Sequence, residues 1–273
     1  MEQNIRTDRF GGVGRLYGEE ALDRFTNAHV AVIGIGGVGS WAVESLARSG
    51  IGHITKIDLD DVCVTNTNRQ IHALNGNFGK QKTQAMAERV AAINPNCKVT
   101  KIDTFYRERN ADELLSPGFD FVIDSIDQVF EKAHLIASCK KLGIPVISCG
   151  GTGGKTDPTQ IKIADFIDVT NDPMINKVRT ALRSKHGFPN GTDNRKNMEP
   201  FGVEVIYSTQ NAVYPQCDGS VSPTIDTTGS EQPKGNMRLN CASGFGSITH
   251  MTATVGLFAA ARALDSIAQK SLS

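Results

Sequence analysis

The segment His29–Leu46, HVAVIGIGGVGSWAVESL, constrains this chain more than any other. A short apolar run, Val30 to Ile33, enters a cluster of glycines, Gly34, Gly36, Gly37 and Gly39, and a helix-like pattern follows. A strand that hands over to a helix through glycines brings backbone N–H groups and a helix N-terminus to one point, where a phosphate can be held. Such turns also serve plain strand-to-helix packing, so context decides. Here the next strand-like run, HITKID, ends in Asp58, about twenty residues on, where a ribose hydroxyl is held in nucleotide-binding folds. NAD and ATP fit these features equally.

Beyond this point the chain alternates. Strand-like HVAVIG, HITKID, KVTKID, DFVIDS and IPVISC are separated by helix-like Ser40–Arg48, Lys82–Ile93 and Phe130–Leu142. Alternation of this kind predicts an α/β fold: a Rossmann-like, mostly parallel sheet with right-handed crossovers and helices on both faces. QIKIADFIDV and VEVIYST read as further strands, and Thr170 to Asn197 as a helix followed by a loop. Gln210 to Asn240 is rich in Pro, Gly, Ser and Thr and reads as a long mobile loop. Gly244 to Leu264 is nearly long enough to cross a bilayer. It carries Ser247, Thr249, His250 and Arg262, and Ile248, Met251, Val255 and Phe258 recur at helical spacing, so a helix packed on the sheet is expected. The whole of 1–273 then reads as one domain, with a nucleotide-binding core at about 9–150 and a C-terminal extension at 151–273.

Charge narrows the partners little. Lys+Arg and Asp+Glu both total 29, so a basic surface has to be local. One local cluster exists, Lys177, Arg179, Arg183, Lys185, Arg195 and Lys196, which suits RNA phosphates and equally suits a solvated face. The opening MEQNIRTDRF has no apolar signal region, giving a cytoplasmic expectation with reduced thiols. The six cysteines form no C-x-x-C pair, so no structural zinc of that kind is expected. Cys63, Cys97, Cys139 and Cys149 lie in segments that read as strand or helix and suggest packing. Cys241, in the glycine-rich NCASGFGS before the last helix, is equally a nucleophile or a packed thiol, and Cys217 is a weaker candidate.

The charged residues after Asp58 separate the two nucleotides. Asn66, Arg69 and Gln70 follow on the loop, and Lys82 opens the next helix. A triphosphate needs more neutralising charge than a pyrophosphate, and Arg69 and Lys82 supply it. Asp127, just past a strand's carboxyl end, sits where open α/β sheets place their ligands and offers a hard oxygen to Mg²⁺. The balance favours ATP.

These motifs, taken in order, resemble a known family. The GxGGxG turn, DLDDVCVTNTNRQ, GKQK and the strand ending DSID are similar to the adenylating core of ubiquitin-activating enzymes and their bacterial relatives ThiF, MoeB and HesA, from about Arg9 to Pro145. The resemblance implies an ATP site of Gly34, Gly36, Gly37, Gly39, Asp58, Asp60, Asn66, Arg69, Lys82 and Asp127. Asp58 would hold the ribose, Asn66, Arg69 and Lys82 the phosphates, and Asp127 the Mg²⁺. Arg15 would reach the phosphates, in a homodimer from the neighbouring subunit. RFGGVGRLYGEEAL, RSGIGHITKIDLDDVCVTNTNRQIHAL, DPTQIKIAD, VYPQ and NCASGFGS further resemble the branch that dehydrates threonylcarbamoyladenosine in tRNA. That branch implies adenylation of the threonine carboxylate and ring closure by the neighbouring carbamoyl group. It also brings tRNA, and a cysteine-desulfurase sulfur-acceptor protein, into view as partners, with Arg69, Lys82, Asp127 and Cys241 as the catalytic set. The alternatives are adenylation of a sulfur-carrier protein's C-terminal glycine, an NAD-linked oxidoreductase, and a binding module that has kept only the fold.

Overall fold

The computed structural model describes residues 2–190, 199–216, 218–224 and 245–269. Seven short strands form one sheet: β1 (His29–Ile33), β2 (His53–Ile57), β3 (Lys98–Ile102), β4 (Phe121–Asp124), β5 (Val146–Cys149), β6 (Ile161–Asp165) and β7 (Glu204–Ser208). Their order is β3-β2-β1-β4-β5-β7-β6, and every pairing is parallel except that of β6 with β7. Around the sheet lie α1 (Glu2–Tyr17), α2 (Glu19–Asn27), α3 (Gly39–Arg48), α4 (Lys82–Ile93), α5 (Ala111–Leu115), α6 (Val129–Leu142), α7 (Pro173–His186) and α8 (Thr249–Gln269). The helices expected from periodicity agree with α3, α4 and α6 to within a residue.

Alternation along the strands sorts side chains onto two faces. Val30, Val32, Ile54, Phe121 and Ile123 share a core with α3, α4 and α8, while Ala31, Ile33, Ile57 and Val122 share another with α5 and α6. A third core packs α7 onto α6 and β7. Each fully buried Val, Leu or Ile contributes roughly 1.5–3 kcal/mol relative to exposure. The last helix is buried as expected: Met251, Val255, Ala259, Ala260, Ala263 and Leu264 all face the core. No helix among the described residues is long and apolar enough to cross a membrane.

Helix ends follow local chemistry. Asp172 caps α7 by accepting the Ile175 N–H at 3.0 Å, Pro173 takes the first helical position, and Gly187 closes the helix at φ 69°. The segment expected to be a plain loop at 210–240 contains a small ribbon, β8 (Tyr214–Pro215) paired with β9 (Val221–Ser222). Residue 217 and residues 225–244, including the IDTTGSEQPK run, lie outside the described residues.

Candidate active site

The strand order reverses direction at β1, whose neighbours β2 and β4 are reached through helices on opposite faces of the sheet. A crevice opens at the carboxyl ends there, as open α/β sheets require. It is a cleft of about 440 Å³, running from the glycine turn after β1 to the loop after β5. Gly34, Gly36, Gly37, Asp58, Asp60, Asn66, Arg69, Gln70, Lys82 and Asp127 all line it. The structure thus brings together ten side chains or glycines that are spread over nearly a hundred residues of sequence.

The glycine turn is locked to the end of β4. Gly34 has φ 89°, and a Cβ there would stand 2.8 Å from the Ser125 carbonyl oxygen. Gly39 lies beneath the turn, where a Cβ would stand 1.9 Å from the Gly34 oxygen. Ser125 Oγ donates to the carbonyls of Ile33 and Gly34 at 2.9 and 2.6 Å. The first turn of α3 therefore meets the cleft with its backbone fixed.

Charges surround this turn. Asp58, nearly buried, accepts the Ile35 N–H at 2.6 Å and the Asp60 N–H at 2.9 Å. Burial pushes its carboxyl pKa up, against the pull of Lys82. Lys82 sits at the start of α4 with Nζ 2.8 Å from Asp60 Oδ2. Asn66 Oδ1 accepts the Cys63 N–H at 2.9 Å, and Arg69 Nη1 donates to Thr65 O and Asn68 Oδ1. Asp127 is exposed on the turn between β4 and α6 and has no ion-pair partner among the described residues. Gln70 is buried against the cleft with Oε1 unsatisfied, an acceptor available to a ligand N–H.

Several lining groups escaped the sequence reading. Thr104 to Arg107 wall one side, and Lys155 and Asp172 the far end. Lys155 is 3% exposed, donates to Ser208 O at 3.1 Å and has no ion-pair partner among the described residues. Burial holds its pKa below the usual lysine range, with Asp172 opposing. Its place in the glycine-rich GGTGGKTDP, directly after a strand, marks it as near the cleft, while its burial has no local signal. Asp172 uses one oxygen on Ile175 N and the other on Gly151 N.

Other expected residues fall elsewhere. Arg15 is exposed on α1 and does not line the cleft. Cys241, Cys217, Arg195 and Lys196 lie outside the described residues. In the basic cluster, Lys177 and Lys185 are exposed, but Arg179 is turned onto the carbonyls of Ile167 and Val169 and Arg183 onto Pro189 O. These two stabilise a turn before α7 and the segment after it.

The packing role expected for the four mid-chain thiols holds for Cys139 and Cys149, which are buried, and fails for Cys63. Cys63 is exposed at the start of a single helical turn, Val64–Asn66, because the strand-like DDVCV leaves the sheet after Ile57. Its thiol accepts a hydrogen bond from Thr65 Oγ1, which holds its pKa below the usual range. Among the described residues, no cluster of three or more His, Cys, Asp or Glu side chains could hold a metal ion.

A doubly wound sheet with a glycine turn, a buried acidic residue and two basic residues converging at its switch point defines a nucleotide-binding α/β protein. The model of the ThiF family matches residues 13–273, and the chain belongs to that family. It is similar to the tRNA threonylcarbamoyladenosine dehydratase of Escherichia coli, at 50% identity over 262 residues, covering 96% of this chain and 94% of the relative. The Haemophilus influenzae protein of the same name is 48% identical with the same coverage. The crystal structure of E. coli tRNA N6-threonylcarbamoyladenosine dehydratase, TcdA, in complex with ATP matches with a TM-score of 0.81 and 45% identity, over 96% of this chain and 94% of that one.

Proposed function

We propose that this protein dehydrates threonylcarbamoyladenosine in tRNA, using ATP to activate the threonine carboxylate as an acyl-adenylate. The observation that carries this reading is the near full-length likeness to dehydratases in a chain whose switch-point cleft gathers Gly34, Asp58, Arg69, Lys82 and Asp127.

A carboxylate is a poor acyl donor because its leaving group would be oxide. In the first step a carboxylate oxygen attacks the α-phosphorus of ATP and pyrophosphate leaves. In the second, the carbamoyl group of the same modified nucleoside attacks the acyl carbon, closes a five-membered ring and expels AMP. The net change is loss of water. The protein's task is to position the groups and offset negative charge. Gly36 and Gly37 bring the backbone of the turn to the cleft, Asp58 holds the ribose, and Asn66, Arg69 and Lys82 hold the phosphates. The Lys82–Asp60 pair keeps the ammonium aimed at the cleft until phosphates take it over.

Mg²⁺ fits this site in chemistry. It is commonly held by one or two carboxylates together with phosphates and water, and Asp127 offers a single exposed carboxylate on the cleft wall. Bound there, the ion would supply neutralising charge to the leaving pyrophosphate. On the outer surface, α7 offers Lys177 and Lys185 to the tRNA, with Lys185 Nζ 4.2 Å above the exposed Phe130 ring two residues past the cleft-lining Gln128. Arg15 stands beside Leu16, which is 78% exposed on α1. That exposed pair suits a homodimer in which Arg15 completes the neighbouring subunit's site.

The test is nucleoside mass spectrometry of tRNA carrying threonylcarbamoyladenosine, incubated with the protein, ATP and Mg²⁺. Loss of one water from that nucleoside, dependent on ATP, is the expected result. An unchanged nucleoside, with AMP appearing only when a carrier protein is added, would replace this reading with sulfur-carrier activation.

A further inference from the structure

Asp127 is exposed, yet the turn that carries it is anchored by charged groups that are wholly buried. Asp124, Lys132 and Ser148 each have no exposed surface. Lys132, in the first turns of α6, places Nζ 2.8 Å from Asp124 Oδ2 and 3.4 Å from the Asp124 carbonyl oxygen. Ser148, on the adjacent strand β5, donates to the same Oδ2 at 2.8 Å. The other oxygen of Asp124 accepts the Ile126 N–H at 3.1 Å. On the opposite side Ser125 is fastened to the glycine turn through Ile33 O and Gly34 O.

A buried ion pair is a poor device for stability alone, because desolvation offsets most of its attraction and well-packed apolar side chains do as well or better. What it fixes is geometry. Here every bond of the network reaches either the Asp124 carboxylate or the backbone of 124–126, which is the stem of Asp127. We propose that Asp124, Lys132 and Ser148 form a positioning network that sets the Asp127 carboxylate for a divalent cation bound with ATP, Lys132 being its principal member. The inference rests on Asp127 holding the metal. None of the three touches substrate; they act through the turn.

The experiment compares ATP affinity by calorimetry with Mn²⁺ and with EDTA, so that the metal-dependent gain is read separately from nucleotide binding. It uses the wild type, Lys132→Met, Lys132→Arg, Ser148→Ala and Asp127→Asn, with thermal melting of each. Lys132→Met is expected to lose about tenfold of the gain, as partners behind a metal ligand commonly do when removed. Lys132→Arg should restore most of it, and Ser148→Ala should lose less than Lys132→Met. ATP affinity in EDTA should stay at the wild-type value in the Lys132 and Ser148 variants. If Lys132→Met does not fold, Ser148→Ala decides alone. A wild-type gain in the folded variants, with Asp127→Asn losing it, overturns the network while leaving the metal reading intact. Equal losses with and without Mn²⁺ also overturn it, because they describe a loosened cleft. If the wild type shows no gain, or Asp127→Asn keeps it, the reading of Asp127 falls and the network with it.

Discussion

Replacing Gly34 by alanine asks two things of the glycine turn at once, and Gly79 separates them. Both residues have positive φ, 89° at Gly34 and 84° at Gly79. Around Gly79 a Cβ meets nothing within 4 Å, whereas at Gly34 it meets Ser125 O at 2.8 Å and Ser125 C at 3.0 Å. Gly79→Ala therefore bears only the backbone strain, about 1–3 kcal/mol for a side chain held in such a region. Gly34→Ala bears the same strain and an overlap with backbone atoms that no rotamer relieves, worth a further 1–3 kcal/mol or so. The stiffening of the unfolded chain is common to both and drops out of the comparison. At roughly 3 °C per kcal/mol for a chain of this size, Gly34→Ala should melt about 6 °C below Gly79→Ala. Calorimetric ATP affinity should fall in Gly34→Ala, since the displaced turn is the one that faces the cleft, and stay unchanged in Gly79→Ala. Coincident melting curves for the two variants would refute the close approach of the turn to β4.

Three further outcomes are expected. Asp127→Ala should abolish AMP release from ATP and substrate tRNA while melting like the wild type, because the carboxylate is exposed; unchanged AMP release would remove the metal role. Lys82→Met should slow pyrophosphate release about 100-fold, the loss typical of one removed donor to developing charge, and single-turnover kinetics would measure it. His72 is 1% exposed with neither ring nitrogen hydrogen-bonded, and burial, then Lys82 and Arg89, lowers its pKa from 6.5 to about 4. Between these values the unfolded chain binds the proton and the folded one does not. His72's contribution is thus complete above pH 6.5 and lost as pH falls toward 4, by roughly 3 kcal/mol in all. The decline of urea midpoints across that window should become shallower in His72→Leu, the remainder coming from His29, which burial also lowers to about 4, and an equally steep decline there would refute the assignment.

Much of the fold is legible from period and punctuation. The seven Val- and Ile-rich runs read as strands all entered the sheet, with β3 at its edge and only partly buried. The core of the cleft was legible for the same reason: residues at the carboxyl ends of successive parallel strands must converge, so Asp58 and Asp127 meet although 69 positions separate them. Cys63 was misread because DDVCV carries the apolar content of a strand, while Asp58 and Asn66 turn its backbone away from the sheet through their own hydrogen bonds. Arg179 was read as a free cation because a sequence shows charge and hides which carbonyls lie within reach. Lys155, Lys132 and Asp124 escaped for a related reason. Their meaning lies in being buried, and burial of a charged side chain is set by tertiary packing that no local pattern records.

The placement of α8 bears on how the protein is made. Its Thr252 hydroxyl lies 3.3 Å from the carbonyl of Arg69, 183 residues earlier, and its apolar side covers the face of the sheet formed by β4 and β5. On a ribosome the glycine turn, Asp58 and Lys82 are all synthesised long before the wall behind them exists. Until the final helix emerges, the nascent chain presents that apolar face of the sheet uncovered, a surface that chaperones bind. Nucleotide capture is then a late event in biogenesis, and a chain cut short before Thr249 lacks that wall even though its strands and glycine turn are present.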